Sequence, residues 1–262
     1  MTTKQCIHFH PLIIRHWGLE AVEKQLREVA EFVNLRSMYR GSNRFPALLK
    51  TFELLRTRPG VAESGVQLPS FKALDAYCKS GVPLGNESLK EEVERTGDPE
   101  LTKVFDWSLA VNDDIERNME PAEPFAYAVE TLEKMSEAAD VVVISQTPRE
   151  ALLREWRHYD IERYVRVIAG QEQGSKAEQI QSVARDKYSC DKMLFIGDAL
   201  GDSAAACETG IDFFPIIPGA EVESWRLLKT EALEKFLAGE FHGSYGTKLT
   251  ESFIKSLPAE MD

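Results

Sequence analysis

Between residues 19 and 118 apolar positions return every three or four residues, the spacing of a helix with one buried face. In GLEAVEKQLREVAEFV, Leu19, Val22, Leu26, Val29, Ala30 and Val33 fall on one stripe. RFPALLKTFELL, SFKALDAYCK and DPELTKVFDWSLAVNDDIERN repeat the pattern, and the breaks at RGSNRFP, TRPGVAESG and SGVPLGNES carry the Gly, Pro and Ser that turns require. The segment is predicted to be entirely helical. After PAEP (121–124) the texture changes to alternation. FAYAVETLEKMSEAA, REALLREWRHY, KAEQIQSVARDK and DSAAACETG are helical in pattern, and VVVIS, YVRVIAG, MLFIG and DFFPII are continuous apolar runs of strand length. Apolar strands separated by amphipathic helices predict a mostly parallel sheet covered on both faces. Residues 222–258 are expected to be helix at its edge.

Composition narrows the partners. The 262 residues carry 31 basic and 43 acidic side chains, a formal net charge of -12. Such a surface repels phosphate backbones and anionic lipid, which argues against a nucleic-acid or membrane binder but leaves room for a small anionic ligand held by local positive charge. Cys6, Cys78, Cys190 and Cys207 form no CxxC pair, so a reducing cytoplasm is the simplest expectation. MTTKQCIHFHPLII lacks the layout of a signal peptide, and no apolar run reaches bilayer-spanning length.

Ligands of open parallel sheets collect beyond the carboxyl ends of the strands. VVVIS ends at Ser145, followed by Gln146 and Thr147; MLFIG ends at Gly197 and Asp198, with Asp202 four residues on; and the loop after VRVIAG carries GSK, placing Lys176 at a helix start. A hydroxyl, an ammonium and two carboxylates facing one crevice would suit a phosphorylated substrate and Mg2+. Each also has an ordinary alternative: Ser145 with Thr147 as a helix cap, Lys176 as a surface lysine, and Asp198 and Asp202 as acids complementing a helix dipole.

VVVISQTP, GSK and FIGDALGDSAAA, taken in order, resemble the second, third and fourth motifs of the haloacid dehalogenase superfamily over residues 121–218. The resemblance implies Ser145 and Gln146 at a phosphate, Lys176 as charge stabiliser and Asp198 with Asp202 at Mg2+. It also implies an α/β fold: a Rossmann-like three-layer core (119–262) with a mostly parallel sheet, a first core strand within 1–18, and an all-helical cap over 19–118. The activity implied is phosphatase-type hydrolysis of a small phosphorylated metabolite, with Ser145 and Lys176 as catalytic residues; dehalogenase and phosphonatase chemistry share the same core.

The family's first motif, Asp-x-Asp at the end of the first strand, has no counterpart here. No aspartate precedes Asp75, and at the corresponding place QCIHFHPL puts His8 and His10. Either QCIHF forms the strand with histidines in place of the carboxylates, or the motif lay upstream of this chain. A neutral imidazole is a poor substitute for the anionic oxygen that Mg2+ prefers, so the alternative function is a non-catalytic or regulatory protein that keeps the phosphate pocket. His8 and His10 also resemble the HxH metal pair of amidohydrolase barrels, but only His16, His158 and His242 remain to complete such a site. Arg36, Arg40 and Arg44 in NLRSMYRGSNRF are spaced to grip a substrate phosphate or carboxylate, with Arg40 the candidate; a solvated basic face is the alternative.

Overall fold

The structure, a computed structural model, describes residues 1–261. It divides into two compact units: residues 1–120 together with the short segment from Pro258, and Pro121–Leu257.

The first unit is helical. A π-helical turn over Lys4–Phe9 runs into α1 (His10–Trp17), followed by α2 (Glu23–Glu31), α3 (Arg44–Leu55), α4 (Lys72–Cys78), α5 (Asn86–Thr96) and α6 (Pro99–Asn118). The stripe through α2 is buried as its spacing predicts: Leu19, Leu26, Val29, Ala30 and Val33 are fully excluded from solvent. Local chemistry sets the ends. Asn43 caps α3 by accepting the Phe45 N–H, and Asp98 caps α6 by accepting those of Glu100 and Leu101, with Pro99 in the first turn where no N–H is needed. α1 stops at Gly18, whose φ of 64° is the left-handed conformation that closes helices. Aromatic rings fill the middle, with Trp17 edge-on to Phe52, Phe71 and Trp107 at centroid distances of 5.5, 5.7 and 5.8 Å.

Residues 4–17 correct one expectation. One of the two readings of this stretch makes QCIHF the first core strand, and the segment is helical. Phe9, Leu12 and Ile13 repeat at helical spacing and are buried in the same cluster as Leu26, Phe52 and Trp107, so the run continues one apolar stripe. Pro11 opens α1, where its missing N–H costs nothing.

The second unit contains α7 (Ala128–Ala138), β1 (Val142–Ile144), α8 (Arg149–His158), β2 (Val167–Ala169), α9 (Lys176–Ile180), β3 (Leu194–Gly197), α10 (Leu200–Thr209), β4 (Asp212–Pro215), α11 (Glu221–Leu227), α12 (Leu233–Leu237) and α13 (Ser244–Lys255). The four strands lie where the apolar runs predict, but the sheet does not. β1 pairs in parallel only with β2 (Val142 opposite Val167), and β3 only with β4 (Leu194 opposite Asp212), giving two separate two-stranded sheets. With 62% of residues in helices and 5% in strands, the chain is mostly helical, and the three-layer Rossmann-like core with one mostly parallel sheet is not what forms. The physical reason is that among the described residues no strand joins β1 to β3, and the stretch 1–18, implied to hold the first core strand, is helical.

Candidate functional site

The loops that follow β1, β2 and β3 are tied to one another by side chains. Gln146 Nε2 donates to the Gly174 carbonyl at 2.9 Å, joining the loop after β1 to the loop that precedes α9. Gln179, fully buried on α9, reaches back to both: its Oε1 accepts the Ser145 N–H at 3.2 Å, and its Nε2 lies 3.1 Å from the Gly170 carbonyl and 2.9 Å from that of Gly174. The Lys176 ammonium is hydrogen-bonded to Asp202 Oδ1, which joins the α9 start to the α10 start. Asp202 Oδ2 accepts the N–H groups of Asp198 and Ala199, both at 3.0 Å, in the manner of a helix-capping acid. The remaining links are also local. Ser175 and Glu178 form a reciprocal capping box on α9, and Glu172 accepts the Arg149 N–H at the start of α8 at 3.2 Å.

Three of the sequence-predicted residues therefore have defined occupations on one rim. Ser145 Oγ accepts the Thr147 N–H at 3.1 Å, the capping role, and its hydroxyl proton is left to donate elsewhere. Lys176 commits one of its three protons to Asp202 and retains partial exposure. Asp202, 4% exposed, is held by one ammonium and two backbone donors, so its carboxylate is a fastening of the rim. Asp198 lines the large cavity of this unit beside Gly197. Gly197 is required by close approach: a Cβ there would stand 2.7 Å from Asp202 Oδ2. Gln179 was missed in the sequence, where a glutamine between Glu178 and Ile180 carries no pattern.

Among the described residues no group of three or more His, Cys, Asp or Glu side chains is placed to hold a metal ion. Of the two acids expected at Mg2+, Asp202 is hydrogen-bonded to the Lys176 ammonium and to two backbone N–H groups, and Asp198 follows directly on the end of β3.

The remaining candidates belong to the helical unit. Arg40 is buried, and its Nη1 donates to the Leu35 carbonyl at 2.9 Å. Arg36 pairs with Glu31. Arg44 donates to the Ser108 carbonyl at 3.1 Å, to Ser108 Oγ at 3.0 Å and to Asn112 at 2.8 Å, with its guanidinium 5.3 Å from the Phe9 ring centre. Burial lowers its pKa to about 10, which leaves it charged at neutral pH. Arg44 thus ties α3 to α6, whereas the Arg36–Glu31 and Arg40–Leu35 contacts are local.

His8 is buried and bonded through Nδ1 to Asp114 at 2.8 Å; that bond is the main reason the Asp114 carboxyl sits below its ordinary pKa, with Asn118 adding a second donor. His10 is wholly buried with no protein partner at either ring nitrogen, and burial, aided by the Arg27 charge, lowers its pKa to about 4. Both are interior residues of a helix and occupy no strand end.

No family model, no curated protein and no solved structure matches this chain.

Proposed function

We propose that the rim formed by the loops after β1, β2 and β3 binds a small phosphorylated or otherwise anionic metabolite without turning it over through a carboxylate nucleophile. The observation that carries this reading is the Lys176–Asp202 bridge, with the Gln146–Gly174 hydrogen bond beside it, which gathers the loops bearing Ser145, Lys176 and Asp198. Ser145 contributes a hydroxyl donor and Lys176 a local positive charge in a protein of formal net charge -12. Asp198 is the residue that would hold Mg2+ at this rim, where the cation would supply charge neutralisation for the bound anion while keeping most of its waters. The resemblance of VVVISQTP, GSK and FIGDALGDSAAA to haloacid dehalogenase motifs supports phosphate as the anion. The lack of an Asp-x-Asp, and the helical, interior positions of His8 and His10, favour binding over hydrolysis. We place the protein in the cytoplasm: its four cysteines are all free, and among the described residues no helix is long and apolar enough to cross a membrane.

Titration calorimetry with inorganic phosphate, with and without Mg2+, tests the reading. Saturable binding should weaken at least tenfold in Lys176→Met, and its Mg2+ dependence should disappear in Asp198→Asn. Release of nitrophenol from an aryl phosphate should stay at background. A Mg2+-dependent rate that vanishes in Asp198→Asn would replace the binding protein with a hydrolase, and no phosphate binding in the native chain would end the proposal.

A further inference from the structure

Four observations in the second unit meet between β1 and β3. The first is inverted burial. Ile168, Ala169, Phe213 and Phe214 on β2 and β4 are buried, whereas every residue of β1 and β3 is only half-buried, although a parallel sheet covered by helices buries its middle strands most. The second lies in the backbone. Alternate residues of a strand turn their N–H and C=O to opposite sides. Arg166 donates to the Val141 carbonyl at 2.8 Å and Ser145 to the Ala169 carbonyl at 3.1 Å, so Val142 and Ile144 turn away from β2. Asp212 donates to the Met193 carbonyl at 3.3 Å and Ile216 to the Gly197 carbonyl at 2.7 Å, so Leu194 and Ile196 turn away from β4.

The third observation is that both rows border one cavity of about 720 Å³. Its two other walls are apolar: Leu132 and Met135 pack with Leu194 and Ile196, while Ile180 packs with Ile144 and Phe195 on the opposite face. The fourth is direction. The Tyr188 hydroxyl, just before β3, bonds Asp140, just before β1, and Lys176 and Asp202 meet beyond the carboxyl ends, so β1 and β3 run the same way.

We propose that this slot is a docking site for an extended apolar polypeptide segment that enters parallel to β1 and β3 and pairs with both. A small apolar ligand would cover the side chains and leave two rows of donors and acceptors without partners. Water would serve those rows and wet the walls. Only an extended backbone offers donors and acceptors on both flanks at the strand repeat together with apolar side chains on both faces. Charge sets the flank: Arg166, Lys187 and Lys192, against the carboxylate of Asp140, border the end where a parallel segment would begin, which favours acidic residues ahead of its apolar run.

The probe is the peptide acetyl-Glu-Glu-Val-Ile-Val-Ile-Val-Ser-amide added to the intact chain. Binding should change the fluorescence of Trp156 and Trp225, which border the cavity, and slow hydrogen exchange at the amides of Val142, Ile144, Leu194 and Ile196. Two versions N-methylated at alternate residues in opposite phases should each bind at least tenfold more weakly, because each loses the donors toward one edge. Lysines in place of the glutamates should weaken binding several-fold. Absence of binding, N-methylated peptides that bind as tightly as the unmodified one, or exchange at the four amides already as slow as at their β2- and β4-facing neighbours would overturn the proposal. Concentration-dependent dimers that protect the same amides without peptide would also overturn it, making a second copy the occupant.

Discussion

In the helical unit every apolar stripe meets another: Phe52 is fully buried with the rings of Trp17 and Phe71 at 5.5 and 4.8 Å, and Leu26, Leu48, Leu55 and Leu74 are sealed in the same cluster. In the mixed unit the residues best suited to burial, Val142, Val143 and Ile144 on β1 and Leu194 and Ile196 on β3, keep partial exposure. The contrast shows what each element requires of its surroundings. A helix satisfies its own backbone and asks only for an apolar neighbour, whereas a strand must also find backbone partners on both edges. Good local pattern therefore yields a sealed core in one region and a slot in the other.

The largest effect expected is from Phe52→Ala, which should cost about 3–5 kcal/mol as a cavity opens among fixed rings. Urea unfolding followed by tryptophan fluorescence measures it, and a loss under about 1 kcal/mol would show the helical core to be as loosely packed as β1. Next is acid. The folded chain holds the His10 proton less tightly than the unfolded chain, with a pKa of about 4 against an ordinary 6.5. Below pH 6.5 the unfolded state binds more protons, so stability falls as pH drops toward 4, by about 3 kcal/mol, and levels off beyond. Stability measured across that window should lose this slope in His10→Phe; an unchanged slope would assign it to other groups.

Asp202→Ala should cost about 2 kcal/mol, because it strips Lys176 of its partner and leaves two N–H groups without acceptors. Faster hydrogen exchange at Asp198 and Ala199 is its signature. The smallest effect is expected from Ile144→Ala, about 1 kcal/mol for a half-buried side chain. A loss near that of Phe52→Ala would erase the contrast between the two regions.

What could be read in advance divides along the same line. The α2 stripe and all four strand positions were legible, because 3.6-residue periodicity and runs of β-branched residues are local properties. Sheet continuity was not: whether VVVIS and MLFIG share a sheet depends on a third segment lying between them, and nothing inside either run encodes it. QCIHF is short enough to suit helix or strand, and the decision came from Pro11 and from the continuation of its stripe through Leu12 and Ile13. At the rim, GSK and GDALGD pointed to loops that Lys176 and Asp202 do bring together, but the sequence could not show that the ammonium would occupy the carboxylate proposed for Mg2+. Arg40 stands out by its spacing from Arg36 and Arg44, and the local chain path that brings it back to the Leu35 carbonyl, five residues away, is not visible in that spacing.

The short segment from Pro258 has a consequence for how the chain is made. The Met38 N–H donates to the Pro258 carbonyl at 3.1 Å, and Met261 packs against the cluster of Val29, Phe32 and Val33. The helical unit, though most of it is translated before Pro121–Leu257, thus completes this cluster only after residue 261 has left the ribosome, by which time all of Pro121–Leu257 has already emerged.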